Sequence, residues 1–514
     1  MFIEVSDVST APSDEGPAGL ILTPVNTHDR GYRTTYELHV REHDNWLPLR
    51  LGTVKIGSTH QQPGNRALRP GQYSALDDES RPHQWFSVGQ DDTYYDNIAR
   101  LGTERRASIL SALSDIAFSR EAFAVAMEHE VTLISLLRHI SESTVLIQFR
   151  RIAAGGDRLL GYHFSYTPPA EQAHGGSTLD FKADPDSTPP SNVHVLIGRN
   201  GVGKTTLLRR ITRAAVRLGS TEADGTFAFC DPPAGVPMGM PMNVVSVCFS
   251  AFDPFSGFSD VSPEGNLTFE YVGLHIEAGN HTERKSHEDL AAEFTGSLAV
   301  IQATGRTQRW ASAVDALMTD PAFAAGSVPE LVDYMSSTEP DDFSHEAPHR
   351  VFSELSSGHA IVLLTLTRLV ELVVEQTLVL LDEPESHLHP PLLSAFVRTL
   401  SQLLADRNGI AIVATHSPVV LQEVPRSCVW KLSRWGGRAE RPSMETFGEN
   451  VGVLTHEVFG LEVQESGFHA LIQQAVAELD TYQDVLDRFG GQLGGEAKGL
   501  VRILLADKAA GEDS

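Results

Sequence analysis

The sequence predicts an α/β fold with a mostly parallel sheet covered by helices on both faces. Short segments that are apolar at nearly every position, such as VHVLI, LVLL and IAIVA, alternate with segments of helical periodicity. A glycine-rich turn joins the first of these segments to a helix, and carboxylates end the second. Strands that are apolar on both faces are typical of parallel sheets buried between helices.

The 514 residues divide into three predicted parts. Residues 1–140 are predicted as an N-terminal α+β accessory region, with strand-like segments first and helical periodicity from Asp91 to Ile140. Residues 141–450 are predicted as the α/β core, with a helical lobe at about 255–360. The segment TVLIQF (Thr144–Phe149) is predicted as a strand because it is rich in β-branched and apolar residues. Residues 451–514 are predicted as a helical tail.

Composition limits the class of protein. The chain has 40 basic and 67 acidic residues and a net charge of −27, which argues against broad, non-specific nucleic-acid binding but leaves a local basic groove open. Its three cysteines lack CxxC spacing, and no basic segment followed by an apolar run opens the chain. Charged residues interrupt the most apolar stretch, Ala360 to Leu381. We therefore expect a cytoplasmic protein without a membrane span.

The glycine-rich turn GRNGVGKT matches G-x-x-x-x-G-K-[ST] between an apolar strand and a helix. Its backbone N–H groups and the helix N-terminus favour phosphate oxygens. Lys204 would contact the β- and γ-phosphates, and Thr205 would ligate Mg²⁺. The sequence therefore predicts ATP and Mg²⁺ as cofactors. The predicted cradle comprises Gly198, Asn200, Gly201, Gly203, Lys204, Thr205 and Thr206.

The segment LVLLDEP predicts a buried strand that ends in two carboxylates, Asp382 and Glu383. Parallel sheets bind ligands at the carboxyl ends of their strands, where the phosphate-binding turn also lies. Asp382 is predicted to hold Mg²⁺, directly or through water. Glu383 is predicted to polarise the water that attacks the γ-phosphate. An acidic turn without function is the alternative for this segment alone.

The segment LSSGH precedes a long helix about 25 residues before Asp382. Ser356 and the amides near Gly358 would offer hydrogen bonds to a γ-phosphate, while a plain helix-capping serine is the alternative. This segment resembles the ABC signature LSGGQ, from which Ser357 and His359 depart. The four motifs together resemble ABC-type ATPases over roughly residues 140–450. In that family a histidine at the position of His416 contacts the γ-phosphate.

The segment DEPESHLHP resembles the overcoming-lysogenization-defect, RecF and SMC-like branch of AAA-family ABC ATPases. His387 and His389 are an alternative metal pair for which the sequence offers no evident third ligand. The family often has a glutamine after the strand that follows the phosphate-loop helix, and Ser250 or Asp253 is the candidate here.

Three aromatic residues are candidates for stacking on adenine. They lie on one predicted strand, where aromatic residues are also typical of a core. The candidates are Tyr162, Phe164 and Tyr166.

The resemblance implies a homodimer in which ATP is sandwiched between two heads and each signature completes the site of the other. The segments SSGH, HLHP and TFGENVG also resemble the ATPase subunit of Septu-type antiphage defence pairs, which implies a separately encoded nuclease partner and DNA as a candidate ligand. A DNA-repair ATPase, a scaffold or toxin regulator that binds no nucleic acid, and a transporter nucleotide-binding subunit are the alternatives.

Overall fold

The computed structural model describes most of the 514 residues, and all structural statements below concern those residues. The described part excludes residues 1, 7–15, 26–30, 45, 76–83, 139, 143, 170–176, 218–223, 230–242, 250–266, 279–280, 339–342, 434–438, 460–467 and 513–514.

The N-terminal region is an α+β unit built on a six-stranded sheet of order β5-β1-β2-β3-β4-β6. Strands β1 and β2 are parallel and the other neighbours are antiparallel. One cluster of buried apolar residues runs from Ile3 to Ala153. The elements are β1 (Ile3–Val5), β2 (Gly19–Pro24), β3 (Thr35–Arg41), β4 (Leu49–Ser58), β5 (Gly71–Tyr73), β6 (Trp85–Gly89), α1 (Asp92–Ala99), α2 (Thr103–Ala112), α3 (Arg120–Met127) and α4 (Arg150–Ala153).

The prediction of a strand at Thr144–Phe149 is wrong, because these residues form a π-helical turn that continues into α4. Thr144, Val145, Gln148 and Phe149 are buried, a helical spacing that places them against the N-terminal core. The Phe149 ring packs on Tyr95 with ring centroids 4.8 Å apart. Packing within this core overrides the intrinsic preference of β-branched residues for strands.

The α/β core contains a seven-stranded sheet of order β12-β11-β15-β16-β9-β17-β18, a three-stranded sheet of order β10-β7-β8 and one hairpin. Its strands are β7 (Tyr162–Thr167), β8 (Leu179–Ala183), β9 (Val193–Ile197), β10 (Thr226–Phe229), β11 (Asn243–Cys248), β12 (Thr268–Gly273), β13 (His275–Ala278), β14 (His281–Arg284), β15 (Thr377–Asp382), β16 (Ile410–Thr415), β17 (Val429–Leu432) and β18 (Ala439–Glu440).

The large sheet confirms the predicted α/β class, since its neighbours are parallel except for β17 and β18. Every residue of β9, β11 and β16 is buried, as expected for strands covered on both faces. The register pairs Asp382 with Ala414 and Thr415 with Ile197. The carboxyl ends of β15, β16 and β9 therefore meet at one edge of the sheet.

Helices cover this sheet and form a lobe before β15. The lobe helices α6 to α10 extend from His287 to Glu354 and follow strands β12 to β14. The helices are α5 (Lys204–Val216), α6 (His287–Ala303), α7 (Thr307–Asp315), α8 (Pro321–Ala324), α9 (Val328–Ser337), α10 (Glu346–Glu354), α11 (Ser357–Leu372), α12 (Pro390–Ala405) and α13 (Pro418–Leu421).

The tail is helical, as the sequence predicts, and its last three helices share a small apolar core that includes Ile472, Val485 and Val501. No described helix is both long and apolar enough to span a membrane. The tail helices are α14 (Val451–Phe459), α15 (Phe468–Glu478), α16 (Tyr482–Arg488) and α17 (Gly495–Glu512).

A buried ionic cluster joins the N-terminal region to the core. The fully buried carboxylate of Asp92 accepts from Arg158 Nε at 2.9 Å and pairs with Arg407. Arg407 also bonds Asp91 at 2.8 Å, and this charge helps to hold the pKa of Asp91 at about 2, against the raising effect of burial. Removal of one partner from such a cluster would lower the stability of the fold, because it leaves the other charge buried without compensation.

Candidate nucleotide-binding site

The phosphate-binding turn leaves buried strand β9 and leads into α5. Gly201 and Gly203 have φ of 79° and 96°. Glycine adopts such positive φ values readily because it has no Cβ to clash with the backbone. A Cβ on Gly198 would lie 2.6 Å from the carbonyl oxygen of Leu432. These backbone positions require glycine, and Asn200 and Thr206 are exposed beside them.

Lys204 lies at the N-terminus of α5 and folds back over the turn. Its Nζ donates to the carbonyl oxygens of Gly198 at 2.9 Å and Arg199 at 3.2 Å. Burial lowers the pKa of Lys204, while the nearby carboxylates of Glu383, Glu385 and Asp382, at and just after the end of β15, raise it. An anionic phosphate would offer this cation a stronger partner than the two carbonyls.

Thr205 and Asp382 meet although they are far apart in sequence. Thr205 Oγ1 donates to Asp382 Oδ1 at 3.1 Å. A hydroxyl and a carboxylate side by side are hard oxygen ligands of the kind that Mg²⁺ prefers. The structure thus brings together the two residues predicted to ligate the metal.

Glu383 directly follows Asp382 in the sequence, and its backbone is left-handed with φ of 46°. Its N–H donates to the carbonyl oxygen of Ala414 at 2.8 Å, and about a third of its side chain is exposed. His416 Nδ1 lies 3.8 Å from Glu383 Oε1 and 3.0 Å from Glu385 Oε1. Glu383 and His416, two of the three residues predicted for catalysis with Lys204, therefore lie together at the carboxyl edge of the sheet.

Glu385 is a site residue to which the sequence assigned no role. Its Oε1 accepts hydrogen bonds from Thr415 Oγ1 at 2.6 Å and from the His416 backbone N–H at 2.7 Å. Glu385 thus holds the loop that carries His416. A carboxylate three residues after Asp382 was the available signal, but sequence alone does not show which carboxylates face the next strand.

The signature segment opens helix α11, and Ser356 is its exposed N-terminal flanking residue. Ser356 makes no side-chain capping bond, so the plain capping alternative does not describe it. Its Oγ lies 2.6 Å from His359 Nδ1 instead. A Cβ on Gly358 would lie 2.5 Å from the carbonyl oxygen of His387, so this position requires glycine.

His387 and His389 do not form a metal pair. His387 Nε2 lies 3.0 Å from the carbonyl oxygen of Phe249, whereas His389 Nε2 lies 2.7 Å from Asp320 Oδ2. Donor atoms of Asp320, His359 and His389 lie within 4.8 Å of one another. The sequence shows no third ligand because the neighbours of His389 come from distant segments.

The three adenine-stacking candidates lie in the core. Tyr162, Phe164 and Tyr166 lie on β7 and belong to a cluster of buried apolar residues. Ser250 and Asp253, the candidates to take the place of the family's glutamine, lie outside the described residues. The assignments of these two residues stay predictions.

The donor set fits ATP and Mg²⁺. Gly201 and Gly203 of the turn have positive φ, a Cβ on Gly201 would meet nothing within 4 Å, and Lys204 and the Thr205–Asp382 pair lie beside the turn. Backbone N–H groups and a lysine suit phosphates, and the hydroxyl–carboxylate pair suits Mg²⁺.

Comparison with known proteins gives two results for the sequence. Residues 252–422 match the AAA_21 family, described as "AAA domain, putative AbiEii toxin, Type IV TA system". That range contains the signature, the carboxylates and His416, but it begins after the phosphate-binding turn. Protein ea59 of Escherichia phage lambda is 37% identical over 503 residues, which are 94% of this chain and 93% of that protein.

Two similar solved structures are ATP-binding cassettes of ABC transporters. A nucleotide-free cassette is 14% identical with a TM-score of 0.30, over 58% of this chain and 95% of that chain. A cassette in the ADP conformation is 13% identical with a TM-score of 0.29, over 60% of this chain and 98% of that chain. Because its identity to protein ea59 extends over nearly the whole of both proteins, the chain belongs to the family of that phage protein, and its residues 252–422 match an AAA domain.

Proposed function

We propose that this protein hydrolyses ATP at a site that is completed when two copies of its ATPase head meet. The observation that carries the proposal is the contact between Thr205 and Asp382, beside Glu383 and Lys204, at the carboxyl edge of the sheet. These groups supply a phosphate-binding cation, a metal-binding pair and a carboxylate next to the reacting phosphate.

Each residue has a distinct role in this proposal. Lys204 orients the terminal phosphates and stabilises the charge that develops on them. Bound Mg²⁺, held by Thr205 and Asp382, would neutralise phosphate charge. Glu383 accepts a hydrogen bond from the attacking water, and His416, held by Glu385, contacts the γ-phosphate.

The signature suggests why two heads are needed. Ser356 is exposed at the start of α11, and within the described residues its hydroxyl bonds His359 rather than any residue of the phosphate-binding turn. A second copy would present its Ser356 to the phosphate bound by the first. ATP would then favour the closed dimer, and hydrolysis would release it.

Ser356→Arg is expected to abolish ATP hydrolysis while the monomer still binds ATP, because the bulky cation blocks only the partner's site. Lys204→Ala is expected to lose tight ATP binding. An equal mixture of these two inactive variants contains heterodimers with one intact site. The mixture should regain about one quarter of wild-type activity, because half of random dimers are heterodimers and each has one of two sites.

The readouts are phosphate release and binding of a fluorescent ATP analogue. Each variant alone serves as the control for the mixture. Activity of Ser356→Arg at the wild-type level, or a mixture that stays inactive, would exclude the composite site.

The biological output that we propose is control of a separate effector, such as a nuclease in antiphage defence, in line with the Septu-like sequence segments. The matched AAA_21 description names a toxin, which favours a second candidate, regulation of a toxin-like effector. Phosphate release with and without double-stranded DNA separates the two candidates. Stimulation by DNA favours the nuclease-linked role, and an unchanged rate favours the effector that binds no nucleic acid.

A further inference from the structure

Three side chains with metal-binding donor atoms meet beside the signature. They come from separate segments of the chain: Asp320 lies just before α8, His359 in the first turn of α11, and His389 immediately before α12. One donor atom from each of them lies within 4.8 Å of the other two. We call these residues the Asp–His–His cluster. Imidazole nitrogens and carboxylate oxygens are the ligands of many protein zinc sites.

The spacing within the cluster is close to that of zinc ligands. Asp320 Oδ1 lies 3.4 Å from His359 Nε2, and Asp320 Oδ2 lies 2.7 Å from His389 Nε2. Zinc binds such donors at about 2.0–2.2 Å, so the ligand atoms of a tetrahedral zinc ion lie roughly 3.3 Å apart. The two observed separations lie on either side of this value. Zinc would therefore require modest shifts of the two rings and no rearrangement of the backbone.

The three side chains differ in exposure in the way that a site open on one side requires. The side chain of Asp320 is 5% exposed, that of His359 is 17% exposed and that of His389 is 50% exposed. A buried carboxylate needs hydrogen-bond donors or a cation to compensate its charge. Zinc would reach this carboxylate from the side of His389, where water is available as a fourth ligand.

The outer nitrogen of His359 has a partner that suits a zinc-bound ring. With zinc on Nε2, the ring carries its proton on Nδ1, which donates to Ser356 Oγ at 2.6 Å. A hydrogen bond from the outer nitrogen is the usual support of a histidine ligand. The Phe323 ring packs against the same imidazole in a T-shaped arrangement, with centroids 4.9 Å apart, and limits its rotation.

His389 would exchange one weak contact when zinc binds. Its Nδ1 lies 3.4 Å from the backbone nitrogen of Leu392, which donates to it. A proton on Nδ1 ends this contact, because both groups are then donors. The contact is longer than an ordinary hydrogen bond, and the half-exposed ring would donate to water instead. Its loss is therefore small beside the gain of a metal–nitrogen bond.

We propose that Asp320, His359 and His389 bind a zinc ion that joins the helical lobe to the starts of α11 and α12. Mg²⁺ would not compete for this site, because Mg²⁺ prefers oxygen ligands whereas imidazole suits zinc. The cluster is separate from the Thr205–Asp382 pair, so zinc binding does not depend on ATP.

The zinc content of the full-length protein, purified without a histidine tag, tests this site. After incubation with zinc and gel filtration in buffer that contains Mg²⁺, the wild type should retain about one zinc ion per chain. His389→Ala and His359→Ala should each bind zinc at least about tenfold more weakly in equilibrium dialysis. His349→Ala, which removes a histidine paired with Glu288 at 3.1 Å, is the matched control and should bind zinc as the wild type does.

Three further measurements distinguish loss of a ligand from loss of the fold. His389→Cys replaces one zinc ligand by another and should retain zinc. Co²⁺ should give the strong visible absorption of a tetrahedral site in the wild type and not in His389→Ala. Zinc should raise the melting temperature of the wild type by several degrees and leave that of His389→Ala unchanged.

Two outcomes would overturn the inference. The first is a wild-type protein that binds no more zinc than His389→Ala does. The second is equal zinc binding by the wild type, His359→Ala and His389→Ala, because the ion would then lie elsewhere. These measurements are made without ATP, so a chain that binds zinc in the expected pattern but hydrolyses no ATP would keep this inference and reject only the proposed function.

Discussion

Glu383→Gln is expected to lower ATP turnover by about 10²–10⁴-fold, because glutamine cannot accept a proton from the attacking water. The substitution keeps the size of the side chain and the backbone hydrogen bond from Glu383 N–H to the carbonyl oxygen of Ala414. It leaves Lys204, Thr205 and Asp382 in place. ATP should therefore still bind and should hold the two heads together for longer than in the wild type.

Phosphate release and light scattering after size exclusion, with and without ATP, measure this result. Glu330→Gln changes an exposed glutamate of the helical lobe and is the matched control. A variant that hydrolyses ATP at the wild-type rate would remove Glu383 from the mechanism. A variant that is inactive but stays monomeric in ATP would retain the chemistry and reject the dimer.

Asp92→Asn is expected to lower the free energy of unfolding by about 3–5 kcal/mol, because it leaves two guanidinium groups without their shared buried carboxylate. Asp92 has a fully buried side chain that pairs with Arg158 and Arg407. Asparagine retains an acceptor oxygen but not the charge. The first structure to weaken should be the junction between the N-terminal region and the core.

Calorimetric unfolding and limited proteolysis measure this effect. Asp96→Asn removes a surface ion pair with Arg100 on the same helix and should cost no more than about 1 kcal/mol. Equal melting of Asp92→Asn and the wild type would show that the ionic cluster does not stabilise the junction. The ATPase rate of Asp92→Asn then shows whether the core depends on the N-terminal region.

Local patterns were sufficient for much of the fold. Continuous apolar runs predicted β9, β15 and β16 because each is covered on both faces, and the Lys-Thr turn predicted the start of α5. The strand prediction at Thr144–Phe149 failed because the local propensity of β-branched residues is weaker than packing against Tyr95 and its neighbours.

The sequence by itself was enough to predict the chemistry of each motif, since residue type and spacing within one turn are typical of a phosphate cradle or a carboxylate pair. Only the tertiary structure decided which distant groups meet. The support of His416 by Glu385 and the pairing of Asp320 with His359 and His389 both join separate segments. Spacing along a chain carries no information about such contacts, because packing of the sheet and the helical lobe sets them.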